Sequence, residues 1–257
     1  MSLLKLTTQL YVDSAKDAWK GLTRSLWAIP VLVAVWAITL AAAMLLSPLG
    51  IIGGFILFLI EAFLLGTYLS MVEVGVNGLR TLRWDDFRSH AGALNQTCIS
   101  VMFLFWIPQF ILAFTFPEGN LVFVPVAALA FNPVPEVIYQ GRMESGWDIA
   151  MESLNFMQRN FPEWVFANLL IAAPAGLAVY AQTGLLDAQL LFAVSEFFSP
   201  FFGFVNPSNL VQGLLRPSLA FALVFVPGIH FALLFRGQMY KRLAHSNRRK
   251  RAWQARF

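Results

Sequence analysis

Residues 26–72 read LWAIPVLVAVWAITLAAAMLLSPLGIIGGFILFLIEAFLLGTYLSMV and carry one charged side chain, Glu61. The hydrocarbon core of a bilayer is about 30 Å thick and takes about 20 apolar residues in helical form. The stretch therefore predicts two spanning helices, at 26–46 and 51–72. The tight turn Ser47-Pro48-Leu49-Gly50 separates them. Helices that are apolar all round belong either in lipid or in the core of a large protein.

Working outward, the rest of the chain agrees with lipid. The protein has 257 residues, of which 58% are hydrophobic, 12% are charged and 25 are Phe. Soluble domains carry roughly twice that share of charge. A disordered chain, a disulfide scaffold and a typical cytosolic enzyme are excluded on these grounds. Cys98 is the only cysteine, and His90, His230 and His245 lie far apart, so neither an intrachain disulfide nor a cysteine or histidine metal cluster is expected. The first 25 residues hold Lys5, Asp13, Lys16, Asp17, Lys20 and Arg24 and read as no cleavable signal.

Four more spans are expected, at 99–116, 121–139, 164–181 and 219–235. The second of these is broken at Asn132-Pro133-Val134-Pro135. The expected class is thus all-α, a polytopic transmembrane bundle of six spans. Residues 185–215 are apolar but hold Asp187, Glu196, Pro200 and Pro207, which leaves a seventh span or an outer-face or re-entrant segment. With six spans, 17 of the 18 Lys and Arg residues fall on one side and only Arg216 on the other. The positive-inside rule then places both termini in the cytoplasm and favours the outer-face or re-entrant reading of 183–215. The organisation expected is a cytoplasmic amphipathic segment at 1–25, a six-helix membrane domain at 26–236 and a basic cytoplasmic tail at 237–257.

Polar stretches with helical apolar spacing precede the spans. Trp147, Ala150, Met151, Leu154 and Met157 fall on one face before the fifth, and Leu4, Tyr11, Ala15, Ala18, Trp19 and Leu22 form a looser stripe before the first. Trp84-Asp85 repeats as Trp147-Asp148, 63 residues on. These features predict three tandem units, each an interfacial helix followed by a membrane hairpin.

Glu61 is the sharpest candidate for function, because a carboxylate near mid-membrane costs roughly 2.5–3.5 kcal/mol. It reads either as a proton or substrate point or as inter-helix glue, with Tyr68 one candidate partner. His230 would reach it if the second and last spans touch. Asn132 and Glu136 flank a break that is tolerated only against protein or water. Gln109 and Asn168 read as packing glue. Arg248, Arg249, Lys250 and Arg251 in the tail, together with Trp147, are candidates for binding anionic lipid headgroups or a protein partner. A simple topology anchor is the plainer reading of the tail. No nucleic-acid recognition motif accompanies the charge. The motifs of nucleotide-binding, hydrolase, zinc-protease and redox sites are absent from the sequence, so no catalytic residue and no cofactor is assigned.

Two stretches carry a resemblance. One is Gly66-Thr67-Tyr68-Leu69 through Gly78 to Arg83-Trp84-Asp85-Asp86-Phe87. The other is Phe131-Asn132-Pro133 through Gly146-Trp147-Asp148-Ile149-Ala150 to Ser153 and Arg159-Asn160-Phe161. Over residues 15–180 the chain resembles the six-span bacterial inner-membrane proteins labelled glycerophosphoryl diester phosphodiesterase membrane domain. That label belongs to fusions with a separate catalytic domain, for which this chain has no counterpart. The resemblance implies a compact six-helix unit in a bacterial inner membrane and transfers no catalytic residue. The expected role is non-enzymatic: a subunit or organiser of a membrane complex, or a protein of membrane homeostasis. Its partners would be the bilayer, other membrane proteins or a second copy. A small transporter or channel using Glu61 is the alternative.

Overall fold

The computed structural model describes residues 3–78, 81–141, 143–183 and 219–244. Among these residues there is no strand. The helices in chain order are α1 (Leu3–Arg24), α2 (Ala28–Leu46), α3 (Gly50–Asn77), α4 (Asp86–His90), α5 (Asn95–Thr115), α6 (Asn120–Ala130), α7 (Val134–Gly141), α8 (Gly146–Thr183) and α9 (Leu219–Ala244).

The opening hairpin has a plain local cause. Pro30 lies in the first turn of α2, where its missing N–H leaves nothing unpaired. A 3-10 turn at Ser47–Leu49 ends the helix, and Gly50 reverses the chain at φ +56°, a conformation open to glycine at no steric cost. Two stretches, Ala28–Asn77 and Asn95–Leu112, are long and apolar enough to cross a membrane by length and composition. The first of them contains this hairpin turn. The residues of the other expected spans lie in α6, α7, α8 and α9, where no further stretch of this kind occurs among the described residues.

α3, α7 and α9 touch one another, and α2, α5 and α8 pack around them. α3 and α9 run parallel, since Tyr68 meets His230 and Val76 meets Gln238, both pairs 162 residues apart. Between α3 and α5 the phenylalanines make an aromatic seam. Phe58 meets Phe103 edge-on at 5.3 Å between centroids and lies 6.1 Å from Trp106, which stacks on Phe110 at 4.9 Å. Such pairs add about 0.5–1.5 kcal/mol each beyond area burial.

α1 is more deeply packed than a surface helix. It runs antiparallel along α9, tied by Ser25 to His230 and by Asp17 to Arg242. Its buried face is Ser14, Ala18, Gly21 and Leu22, while Trp19, expected on the apolar stripe, is 62% exposed. The approach is close because Gly21 faces α3: a Cβ there would sit 2.7 Å from the Gly75 carbonyl oxygen.

α8 shows a similar division. Ile149, Ala150, Ser153, Phe156 and Met157 are buried, but Trp147 (62% exposed) and Met151, expected on the same face, point outward. The helix carries more apolar residues than one seam can take, and the surplus is exposed. It bends at Asn160 (φ −129°), whose side-chain amide donates to the Phe156 carbonyl at 3.3 Å. Ser25, where α1 ends, donates to the Gly21 carbonyl at 2.8 Å in the same four-residue step. These paired bends, with the recurrence of Trp84-Asp85 at Trp147-Asp148, fit a repeated unit. The middle unit departs from it, because α4 is a single five-residue turn.

The expected boundary between membrane domain and tail at 236/237 falls inside α9, which continues to Ala244 with Gly237, Gln238, Met239, Tyr240 and Leu243 buried. The ambiguous segment at 183–215 lies, but for its first residue, outside the described residues, as do Arg248, Arg249, Lys250 and Arg251.

Candidate functional site

Two polar clusters and one isolated carboxylate occupy the seams between the inner helices. The largest cluster sits where the chain breaks between α6 and α7. Asn132, Pro133, Val134 and Pro135 are all buried, so the broken backbone is covered by protein. Glu136, with no exposure, receives both Nε (2.8 Å) and Nη2 (2.9 Å) of Arg236 from α9. The same Nη2 donates to the Asn132 carbonyl at 2.7 Å, in the break between α6 and α7. Trp164 of α8 donates from Nε1 to the Asn132 side-chain oxygen at 2.8 Å, and the Arg236 guanidinium lies 5.3 Å from the centre of its ring. Asn168 donates to the Trp164 carbonyl at 2.8 Å. Gln140 adds a bond to the Gly237 carbonyl at 3.0 Å. One arginine thus joins α7, α8 and α9, and a bidentate pair of this kind fixes orientation as well as charge.

The sequence pointed to Asn132 and Glu136 but counted Arg236 only as a boundary charge. The missed signal was a complementary one: an acid and a base, each closing an apolar run, on two helices that pack together.

The second cluster centres on His230, which has no exposure. Its Nε2 lies 2.8 Å from Ser25 Oγ and its Nδ1 lies 2.9 Å from the Tyr68 hydroxyl. Ser25 gives its single proton to the Gly21 carbonyl. That carbonyl can only accept, so the His230 Nε2 must carry the hydrogen and donate to Ser25, while Nδ1 accepts from Tyr68. The imidazole is assigned as neutral on this donor count. A serine beside a histidine invites a nucleophilic reading, but here Nε2 is already a donor and cannot take the serine proton. All three groups are buried. The arrangement ties the end of α1 to α3 and α9.

Glu61 stands apart. α3 and α9 do touch, yet His230 and Tyr68 bond each other and leave Glu61 out. Its side chain is 4% exposed, and its Oε1 has no hydrogen-bond partner among the described residues. On α2, the buried hydroxyl of Thr39 is in the same state.

Outside the bundle, Asp17 holds Arg242 at 2.6 Å and Lys20 at 3.2 Å. Burial pushes the Asp17 carboxyl up, but the bonds and charges of Arg242 and Lys20 outweigh it and hold the group below its ordinary value. Among the described residues no three His, Cys, Asp or Glu side chains gather closely enough to hold a metal ion. Trp27 and Trp84 pack on each other at 5.9 Å, and Trp84 stacks on Phe87 at 5.7 Å, both tryptophans still exposed. With Trp19 and Trp147 they make four exposed tryptophans on the polar-flanked segments.

No family model, curated protein or solved structure matches the chain, so the likeness to the six-span inner-membrane family stands on the quoted residues alone.

Proposed function

We propose that this chain is an integral protein of the bacterial cytoplasmic membrane with six spans and both termini in the cytoplasm. Its role is non-enzymatic, as a subunit or organiser of a membrane complex or in membrane homeostasis. The observation that carries the reading is the division between its two surfaces. Facing inward, Glu136 pairs with Arg236, His230 bonds Ser25 and Tyr68, and glycines let helices touch. Facing outward, Met44, Leu45, Ile51, Ile52, Phe114 and Val122 are each at least 67% exposed. Large apolar side chains left exposed in this number are unfavourable in water and ordinary in lipid. Exposed tryptophans suit the headgroup region, where an apolar ring with one N–H donor finds both of its environments. Trp147 and the basic run Arg248, Arg249, Lys250 and Arg251 are the residues proposed to engage anionic headgroups.

The test is purification from native membranes in a mild detergent after crosslinking. A membrane protein recovered in fixed stoichiometry, and lost when Trp147 is replaced by Ala without loss of folding, supports the reading. A monodisperse chain that carries neither partner nor lipid overturns it. A transporter or channel is the second reading, favoured by the unpartnered oxygen of Glu61. Loss of transport by Glu61→Gln in a folded protein would support that reading, and unchanged transport would remove it.

A further inference from the structure

The second half of α1 carries both signs of charge, and the fold sorts them. Between Lys16 and Trp27 the only acid is Asp17. It is half-buried and turned to α9, where Arg242 holds it at 2.6 Å. Lys20 adds a looser contact with it at 3.2 Å. The exposed face is left basic. From Lys16 to Trp27 every exposed side chain except Thr23 is a cation (Lys16, Lys20, Arg24) or large and apolar (Trp19, Leu26, Trp27). At about 100° per residue these positions all fall on one half of the helix.

The face is braced. The Trp19 ring meets Phe231 of α9 edge-on at 6.3 Å between centroids. Leu82, buried, donates its N–H to the Arg24 carbonyl at 2.8 Å and brings the loop after α3 against the end of α1. Trp84 of that loop packs on Trp27, and the Arg24 guanidinium donates to the Gly78 carbonyl at 2.9 Å. Between Leu82 and His90 the cations Arg83 and Arg88 balance Asp85 and Asp86, so the excess of positive charge belongs to α1. The apolar helix α2 starts at Ala28, directly after Trp27.

We propose that the exposed face of α1 from Lys16 to Trp27 is a binding surface for anionic phospholipid headgroups. The proposal rests on the reading of α2 as a membrane span, which sets this face at the level where headgroups meet acyl chains. Indole rings and lysine stems both find an apolar and a polar environment there. Lys16 and Lys20 attract the phosphates, and Trp19, Leu26 and Trp27 enter the rim of the acyl layer. Arg242 is a positioning residue: by holding Asp17 against α9 it keeps that acid from cancelling the charge of the face.

The experiment is fluorescence quenching of the full chain in vesicles of phosphatidylcholine with phosphatidylglycerol as the minor component, with either lipid brominated. Subtracting the signal of Trp19→Phe isolates Trp19, whose exposure makes that change mild. Per brominated lipid, phosphatidylglycerol should quench Trp19 more than phosphatidylcholine, by about fivefold for each lysine engaged. Lys16→Gln with Lys20→Gln should remove the excess. Arg242→Gln should reduce it, and Asp17→Asn added to Arg242→Gln should restore it. Equal quenching by the two lipids overturns the anionic surface and leaves the membrane reading standing. Quenching by neither overturns it in favour of a protein occupant. An excess that survives loss of both lysines overturns their role, and failure of Asp17→Asn to restore it overturns that of Arg242.

Discussion

Glu136 and Glu61 are both buried acids on the inner helices, and their surroundings treat them in opposite ways. Glu136 meets a two-pronged arginine whose Nη2 also donates to the Asn132 carbonyl at the chain break. Glu61 has packed neighbours and an oxygen without a partner. A buried charge is tolerable when a counter-charge and further hydrogen bonds come with it. Without them a carboxyl does better as a neutral acid. The comparison therefore separates an ion pair that holds the fold from a buried carboxyl with one oxygen unpartnered among the described residues.

The largest effect should come from breaking the ion pair. Arg236→Leu leaves Glu136 charged and alone and should cost about 3–5 kcal/mol of unfolding free energy in mixed micelles. Glu136→Leu combined with Arg236→Leu should recover most of that loss. Glu61→Leu, measured the same way, should cost less than about 1 kcal/mol. Equal losses at Arg236 and Glu61 would end the distinction between the two acids.

Next comes the glycine crossing of α1 and α3. Gly21→Ala drives a methyl into the Gly75 carbonyl oxygen and should cost about 1–3 kcal/mol. His230→Phe should follow at about 1–3 kcal/mol, because it leaves both Tyr68 and Ser25 short of a partner. Tyr68→Phe removes one bond and should cost about 1 kcal/mol, less than His230→Phe.

The smallest effect is acidic. The Asp17 carboxyl is held below its ordinary value of 3.8, so its contribution to stability is present above that pH and is lost as pH falls through the lower folded value. Asp17→Asn should lower stability slightly at neutral pH and flatten the decline below pH about 4, as followed by thermal unfolding across the acid range.

Much of the fold was legible because its signals are local. Ser47-Pro48-Leu49-Gly50 states a turn, the apolar run on either side states two helices, and Asn132-Pro133-Val134-Pro135 states a break. The faces of α1 and α8 were less legible. Trp19 and Trp147 satisfy helical periodicity, but periodicity does not say whether an apolar stripe meets protein or lipid, and both tryptophans face out. The sites were partly legible for the same reason. Glu61, Asn132, Glu136 and His230 stood out as polar residues in apolar runs. The partners Arg236, Ser25 and Trp164 look ordinary in sequence, and Tyr68 bonds His230 and not Glu61; these pairings arise only through the packing of α1, α3, α7, α8 and α9.

The central claim is that the α2–α3 hairpin crosses a bilayer with its turn on the side opposite α1. In a Cys98→Ser background, Val12→Cys at an exposed position of α1 and Leu49→Cys in the exposed turn can be labelled with a membrane-impermeant maleimide in right-side-out and inverted vesicles. The account predicts labelling of Leu49→Cys only in right-side-out vesicles and of Val12→Cys only in inverted ones. Labelling of both positions from the same side would contradict it.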